Sequence, residues 1–404
     1  MKHDAGRGTF PPRKDRPDAR EALVGDSELL KQFGITRVGD VTDLDTIGVP
    51  VWFAARPNSR GISVAQGKGL TARQAKISAV MEAIEGAVAE DTQRHVREHG
   101  SQHAMLKRGM RVIPLETITR VDADYLDPER ERAWVKGYSV RDGACVFAPY
   151  ELVGMDFRAD FPWDRQAFQM SSHGLAAGFD HDRTVLHALL ELIEHDACFA
   201  VDAFGTRQLR IRPISFPGGA SEALDDLLSR LEHAGLSARF FDLTNSNGIP
   251  VILAALPRSI TSADGPGLRI AAGVACRLDM CEAVVAALLE AIQSRLTDIS
   301  GARDDLSAGR YDLDMTVPKW HASGPASIVR PASVGLRNAD PDAPLWRRVA
   351  DHLFTAGVDD IYIFSLDSGV SGISVVRVIA SGLAAAGGGL NRFSASALDS
   401  LLKR

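Results

Sequence analysis

One pattern recurs three times in this chain and limits its fold more than any other feature. VGDVTDLDTIGVPVWFAARP (38–57) reads as two strands around a turn at Asp45 to Gly48, with β-branched and aromatic runs on either side of turn residues. ARFFDLTNSNGIPVILAALP (238–257) sets Asn245, Ser246 and Gly248 where the first copy has Asp45, Thr46 and Gly48, with Ile-Pro-Val following in place of Val-Pro-Val. IYIFSLDSGVSGISVVRVIASGL (361–383) is a looser third copy that keeps Gly372, Ile373 and Val375 and replaces the proline with Ser374. A chain that repeats a supersecondary unit buries it by packing copies together, so internal duplication is the leading organisational expectation.

Helices repeat with the strands. GKGLTARQAKISAVMEAIEGAVAE (67–90) follows the first strand pair and MCEAVVAALLEAIQSRLTDISGARDD (280–305) the second, both with helical apolar periodicity. The first carries Ser78, Glu82 and Glu85, whose spacing puts a hydroxyl and two carboxylates on one face. The other carries Glu290, Gln293 and Arg295. Between them, SHGLAAGFDHDRTVLHALLELIEHD (172–196) is a glycine-rich turn running into a helix with Glu191 and Glu194 among leucines. Glutamates three apart repel each other and are costly to bury without compensation, so a hard cation such as magnesium carrying phosphates is the natural occupant. The three acid-bearing helices are expected to converge on one pocket.

The loop GISVAQGKGLT (61–71) is not a Walker motif, since five residues separate its glycines and Gly69 follows Lys68. Glycines before a helix N-terminus still let backbone N–H groups approach an anion, and Lys68 adds a point charge. His95, His99 and His103 have the spacing of one helical face but lack a carboxylate-rich surround, and are read as a polar surface. His187, on the acidic helix, is read either as orienting a site residue or as an interior histidine. The 404 residues carry a formal charge of −6, which gives no reason to expect nucleic acid as partner. The four cysteines form no CxxC pair or zinc spacing, which reads as packed thiols in a reducing compartment. No apolar run is long enough to cross a bilayer, so no membrane partner and a cytoplasmic location are expected. Residues 1–17 are expected to form a mobile arm. Residues 18–404 are expected to form the main domain, starting with a short helix over 18–33, with possible sub-units at 18–160, 161–310 and 311–404.

GITRVGDVTDLDTIGVPVW, GKGLTARQAKISAVMEAIE, SSHGLAAG with ELIEHDA, DLTNSNGIPV and EAIQSRLTDISGARDD, in this order, resemble the YcaO-domain family, and most closely its branch that works with TfuA-type partners. The resemblance covers most of the chain and implies an α+β YcaO fold with a central nucleotide site. It implies an enzyme that uses ATP and Mg2+ to phosphorylate the oxygen of a backbone amide in a ribosomally synthesised precursor peptide. A sulfur source then displaces phosphate to give a thioamide, with a TfuA-like protein as partner and a homodimer as possible assembly. Azoline-forming cyclodehydration is the alternative, as is a nucleotide-binding or peptide-presenting partner without turnover. The tail GGGLNRFSASALDSLLKR, unlike the proline-rich end of many azoline-forming relatives, favours the thioamide branch.

By the same resemblance, Lys68, Ser78, Glu82, Ser172, His173, Arg183, Glu191, His195 and Arg303 would bind the nucleotide. Glu82, Glu85, Glu191, Glu194 and Glu290 would hold metal, and Glu194, Gln293 and Arg295 would be catalytic. Several positions depart from the family pattern: His173 stands for Asn, Phe179 for Asn, Arg183 for Glu, His195 for Arg, and Gly86 for Arg. Arg183 would invert a charge beside the proposed metals, and direct contact of Arg183 and His195 with phosphate would replace one of them.

Overall fold

The computed structural model describes residues 24–118, 126–209, 211, 213–256, 271–301, 303–304, 326–336, 340–384 and 393–403. The arm expected over 1–17 and the glycines of the tail lie outside the described residues. Of the opening helix, α1 (Ser27–Gln32) is described, capped by Asp26. No helix among the described residues is long and apolar enough to cross a membrane.

Each of the three repeated stretches forms an antiparallel hairpin, and each hairpin lies in a different sheet. β1 (Arg37–Asp40), β2 (Val51–Ala55) and β3 (Val64–Lys68) make a three-stranded sheet in that order. β4 (Val96–Gly100), β5 (Arg132–Ser139), β6 (Cys145–Pro149) and β7 (Leu175–Gly178) belong to a six-stranded sheet. β8 (Pro213–Ser215), β9 (Arg239–Asp242), β10 (Val251–Leu256), β11 (Ala271–Cys276) and β12 (Ser327–Ile328) form a third sheet in the order β11-β10-β9-β8-β12. β13 (Asp360–Leu366) and β14 (Ser374–Ser381) return to the six-stranded sheet, where they lie between β5 and β7. That sheet therefore joins strands from either side of residues 160 and 310, the boundaries expected for sub-units.

The turns explain why the repeats fold alike. In the first, the Thr42 N–H donates to Asp40 Oδ1 at 2.9 Å and the Val51 N–H to Thr42 Oγ1 at 3.2 Å. In the second, the Thr244 N–H donates to Asp242 Oδ1 at 2.9 Å and the Val251 N–H to Thr244 Oγ1 at 3.2 Å. Local side-chain bonds of this kind fix a turn without help from the rest of the fold. Gly48, Gly248 and Gly372 take φ of 70°, 75° and 83°, a region open to glycine at little cost.

A third strand flanks each hairpin and leads into a long helix: β3 into α2 (Ala72–Ala89), β7 into α3 (His181–Gln208), and, after α4 (Glu222–His233), β11 into α5 (Met280–Ser300). The register is shared, with Val51 opposite Lys68, Val375 opposite Ala177 and Val251 opposite Cys276. Three residues after each of those partners stands a capping residue. Thr71 accepts from the Gln74 N–H, Asp180 from the Arg183 N–H and Asp279 from the Glu282 N–H. Counting from these caps, the seventh residue is Ser78, His187 or Ala286, the eleventh is Glu82, Glu191 or Glu290, and the fourteenth is Glu85, Glu194 or Gln293. The third unit is permuted in the chain: its strand and helix come first, and its hairpin nearly two hundred residues later.

Each helix packs on its own sheet. Gly67 lets α2 close on β3, since a Cβ there would lie 2.1 Å from the Ala79 nitrogen, and Gly273 does the same for α5, 2.3 Å from the Ala291 nitrogen. Leu189, Leu192 and Ile193 of α3 share a core with Val376 and Val378 of β14 and with α6 (Leu345–Thr355). At the C-terminus, α7 (Ala395–Lys403) is tied to α3 through buried Asp196, which accepts from the Ser394 hydroxyl at 2.9 Å and the Ala384 N–H at 3.0 Å.

The histidine triplet does not share a helical face. Thr92–His95 is a single helical turn, β4 begins at Val96, and a new helical turn starts at Gln102. His95 is buried, with Nε2 2.8 Å from the Val88 carbonyl, His99 lies on β4, and His103 pairs with Glu129. Local strand pairing of β4 with β5 overrides the spacing.

Candidate functional site

The three repeats bring α2, α3 and α5 to a shared cavity of about 770 Å3, the size of a small-molecule site. Glu82 and Glu85 enter it from α2, Glu191 and Glu194 from α3, and Glu290 from α5. Lys68, at the end of β3, reaches the same space and ion-pairs with Glu290. Ser78, Ser172, His195 and Arg303 complete the set of expected residues on its wall. Phe179 lines it as well.

Burial dominates the electrostatics. Enclosure among the cavity walls pushes the Glu82 carboxyl up to about 7, although its side chain is exposed to the solvent in the cavity, against the attraction of Lys68 and Arg303. Glu194 is likewise raised to about 7, chiefly by burial, with His195 opposing and Glu191 adding to it. Glu85 stands well above the usual carboxylate range, from burial and then from the charges of Glu191 and Glu82. Lys68 is depressed by burial, although Glu82 and Glu194 favour its charged form. Low-dielectric walls around several carboxylates leave negative charge underneutralised, which a cation with oxygen ligands would offset. Among the described residues, no three His, Cys, Asp or Glu side chains are already gathered about one point as an ion cage. Magnesium does not require one, since it is commonly held by one or two carboxylates with waters and substrate phosphates.

His195 lies 3.5 Å from Glu191 Oε1 through Nε2, and its ring stacks on His173 with centroids 3.5 Å apart. His173 thus backs a wall residue without lining the cavity itself. Three expected residues are placed elsewhere. Arg183 is exposed in the first turn of α3, outside the cavity lining, so its positive charge does not replace a metal there. Arg295, expected from the resemblance to be catalytic, grips Asp45 in the first hairpin turn at 2.7 and 3.0 Å. It ties α5 to the first repeat. Gln293 is buried and donates from Nε2 to the Gln66 carbonyl at 3.5 Å, also away from the lining.

Three residues beyond the expected set bear on the site. Arg277 lines the cavity one residue past β11, with Nη1 2.7 Å from its neighbour's carbonyl at Cys276 and no carboxylate ion pair among the described residues. Its repeat equivalents are Gly69 and Gly178, so aligning the repeats as far as the caps would have flagged it. His187, also in the lining, occupies the repeat position of Ser78 and has its pKa lowered by burial and then by Arg277. Arg377, on β14, is buried and donates from Nη1 to the His173 carbonyl and from Nη2 to the Ser171 carbonyl, both at 2.7 Å. It holds the loop that carries Ser172, and burial lowers its pKa to about 10. An arginine inside a strand that otherwise reads as pure core was the available signal.

Residues 66–384 match the family model described as YcaO cyclodehydratase, ATP- and Mg2+-binding. A protein of Rhizobium leguminosarum bv. trifolii, described as uncharacterized and in the tfuA 3′ region, is 34% identical over 366 residues, covering 88% of this chain and 84% of its own. An uncharacterized protein of Methanothermobacter thermautotrophicus is 29% identical over 398 residues, 92% of this chain and 95% of its own. The fold is shared with YcaO from Methanopyrus kandleri bound with AMPPCP and Mg2+, at TM-score 0.64 and 21% identity over 92% of both chains. A heterocyclase in complex with substrate and cofactor superposes at TM-score 0.68 and 17% identity, over 94% of this chain and 54% of the other.

Proposed function

Since the chain belongs to the YcaO family, whose domain binds ATP and Mg2+, we propose that it uses ATP to activate a backbone amide of a ribosomally synthesised peptide and replaces the amide oxygen with sulfur. One observation supports the site assignment above all others: five glutamates from three repeat-related helices share one cavity with Lys68 and Arg303. The donor set fits Mg-ATP, with oxygen ligands for a hard cation and nitrogen cations for phosphate. Glu82, Glu191 and Glu290 would hold the metal with Glu85 and Glu194, and Lys68, Ser78, Ser172, His195 and Arg303 the phosphates. Bound magnesium supplies charge neutralisation at the phosphates being transferred.

Residues of this chain then divide the work. In the transfer, the amide oxygen bonds to the terminal phosphorus as the bond to ADP breaks. Lys68 and Arg303 offset the negative charge that develops on the transferred group. Sulfur next adds to the activated carbon, and inorganic phosphate leaves with the former amide oxygen. Arg377 keeps the Ser171–His173 carbonyls fixed, so Ser172 meets its ligand pre-positioned. The tfuA neighbourhood of the Rhizobium relative supports a TfuA-like partner and sulfur as nucleophile.

The test is incubation of the protein with Mg-ATP, a sulfide source, a TfuA-like partner and peptides encoded nearby, followed by mass spectrometry. Exchange of oxygen for sulfur supports thioamidation. Loss of water instead identifies azoline formation, and absence of any ATP-dependent change, with ATP bound, identifies a presenting partner.

A further inference from the structure

In the antiparallel pairs of each repeat, alternate residues of the third strand bond to the hairpin and the rest turn their N–H and C=O to the free edge. The Gly69 N–H donates to Pro50 O at 3.3 Å and the Arg56 N–H to Ser63 O at 2.7 Å, which turns Gln66 and Lys68 outward. By the same alternation, the Arg277 N–H on Pro250 O turns Cys276 outward, and the Val378 N–H on Gly174 O turns Ala177 outward. Each exposed edge is taken by the fourteenth helix residue of a different repeat. Glu85, from the first, faces the Ala177 N–H, which favours its charged form. Glu194 Oε2 accepts from the Cys276 N–H at 3.1 Å. Gln293 Nε2 donates to Gln66 O, while its Oε1 is buried and has no hydrogen-bond partner among the described residues.

Followed round, the links close: the first repeat holds the strand of the permuted one, the permuted one holds that of α5, and α5 holds that of the first. We propose that Glu85, Glu194 and Gln293 are keystones of a closed three-membered ring, and that Gln293 is a positioning residue for the cavity and not a group that touches reacting atoms. The inference rests on the site proposed above for its consequence alone, namely that Gln293 sets the place of Lys68 and, through β3, of the α2 glutamates. A buried hydrogen bond exchanged for an unpaired edge costs about 1.4 kcal/mol, or about tenfold in local opening.

Amide hydrogen exchange of the full chain tests this without nucleotide. Gln293→Leu is expected to speed exchange over Val64–Lys68 about tenfold. Gln293→Glu, nearly the same size but with an acceptor carboxylate in place of the Nε2 donor facing the Gln66 carbonyl, is expected to speed it likewise. Glu194→Leu is expected to loosen Ala271–Cys276, the strand of the next repeat, and to leave its own Leu175–Gly178 protected. Should that variant fail to fold, Glu194→Gln keeps an acceptor oxygen and is expected to retain protection over Ala271–Cys276. Exchange that rises equally in all three strands, or only in the variant's own repeat, overturns the ring. So does a Gln293→Glu variant that leaves exchange over Val64–Lys68 unchanged. A protein that shows the predicted cross-repeat pattern yet binds no Mg-ATP would sink the functional proposal and leave the ring standing.

Discussion

The carboxyls of Glu194, half-buried, and of Glu82, exposed within the cavity, are raised from 4.5 to about 7, chiefly by their enclosure. A group whose folded pKa lies above its unfolded value stabilises the fold while it is protonated, and that contribution is lost as pH climbs towards the folded value. The ligand-free protein is therefore expected to lose thermal stability from about pH 5 to about pH 7.5. Magnesium must displace those protons, so the rise in Tm given by Mg-ATP should grow over the same window. Scanning calorimetry across pH, with and without Mg-ATP, checks both signs, and a magnesium effect that shrinks with rising pH would contradict the assignment. Lys68 is the second residue whose state matters, since it pairs with Glu290 and loses charge stability to burial. Lys68→Met is expected to weaken Mg-ATP binding at least about tenfold, the scale of one lost charge-assisted hydrogen bond, with titration calorimetry as the measurement.

Among elements, the close approaches of helix to strand set the tolerances. Gly67→Ala would force a methyl to within 2.1 Å of the α2 backbone, where no flexible side chain can yield. A loss of about 3 kcal/mol is expected in denaturant unfolding, since overpacking at a backbone contact cannot relax locally. By contrast Asp279→Ala, which removes the cap on α5, is expected to cost only about 1 kcal/mol. The hairpins, the three acid helices and their convergence were legible in the sequence because turn chemistry and helical periodicity are local. The surroundings of Arg295 and Gln293 were not legible because they depend on what a neighbouring repeat presents, and those of Arg183 because they depend on where its own helix starts. Asp45 takes Arg295, the β3 edge takes Gln293, and the first turn of α3 leaves Arg183 in solvent. Arg277 went unread for a related reason, as its significance follows from strand register and not from any motif around it.

For the molecule as a whole, ligand binding to the native state must raise its stability by mass action. Saturating Mg-ATP, at about one hundred times its Kd, should add about 2.7 kcal/mol, and Glu191→Gln should abolish most of that gain while leaving the unliganded Tm within a few degrees. Three sheets and three helices closed around one cavity make the site a property of the entire chain. The fold repeats, but the side chains at equivalent positions do not. Ser78, His187 and Ala286 share one repeat position, and Lys68, Ala177 and Cys276 another. The symmetric frame thus holds an asymmetric pocket.

The permuted order of the third repeat has a bearing on biosynthesis. β7 leaves the ribosome early, but β14, the strand that pairs with it, is made nearly two hundred residues later. A nascent chain released before Ser374 would hold complete first and second repeats, and α3 would lack the β14 strand on which it rests. The last strand of the described residues thus holds β7 and the Ser171–His173 loop at the cavity, so an interrupted translation product would carry all five glutamates and yet have no finished place to put ATP.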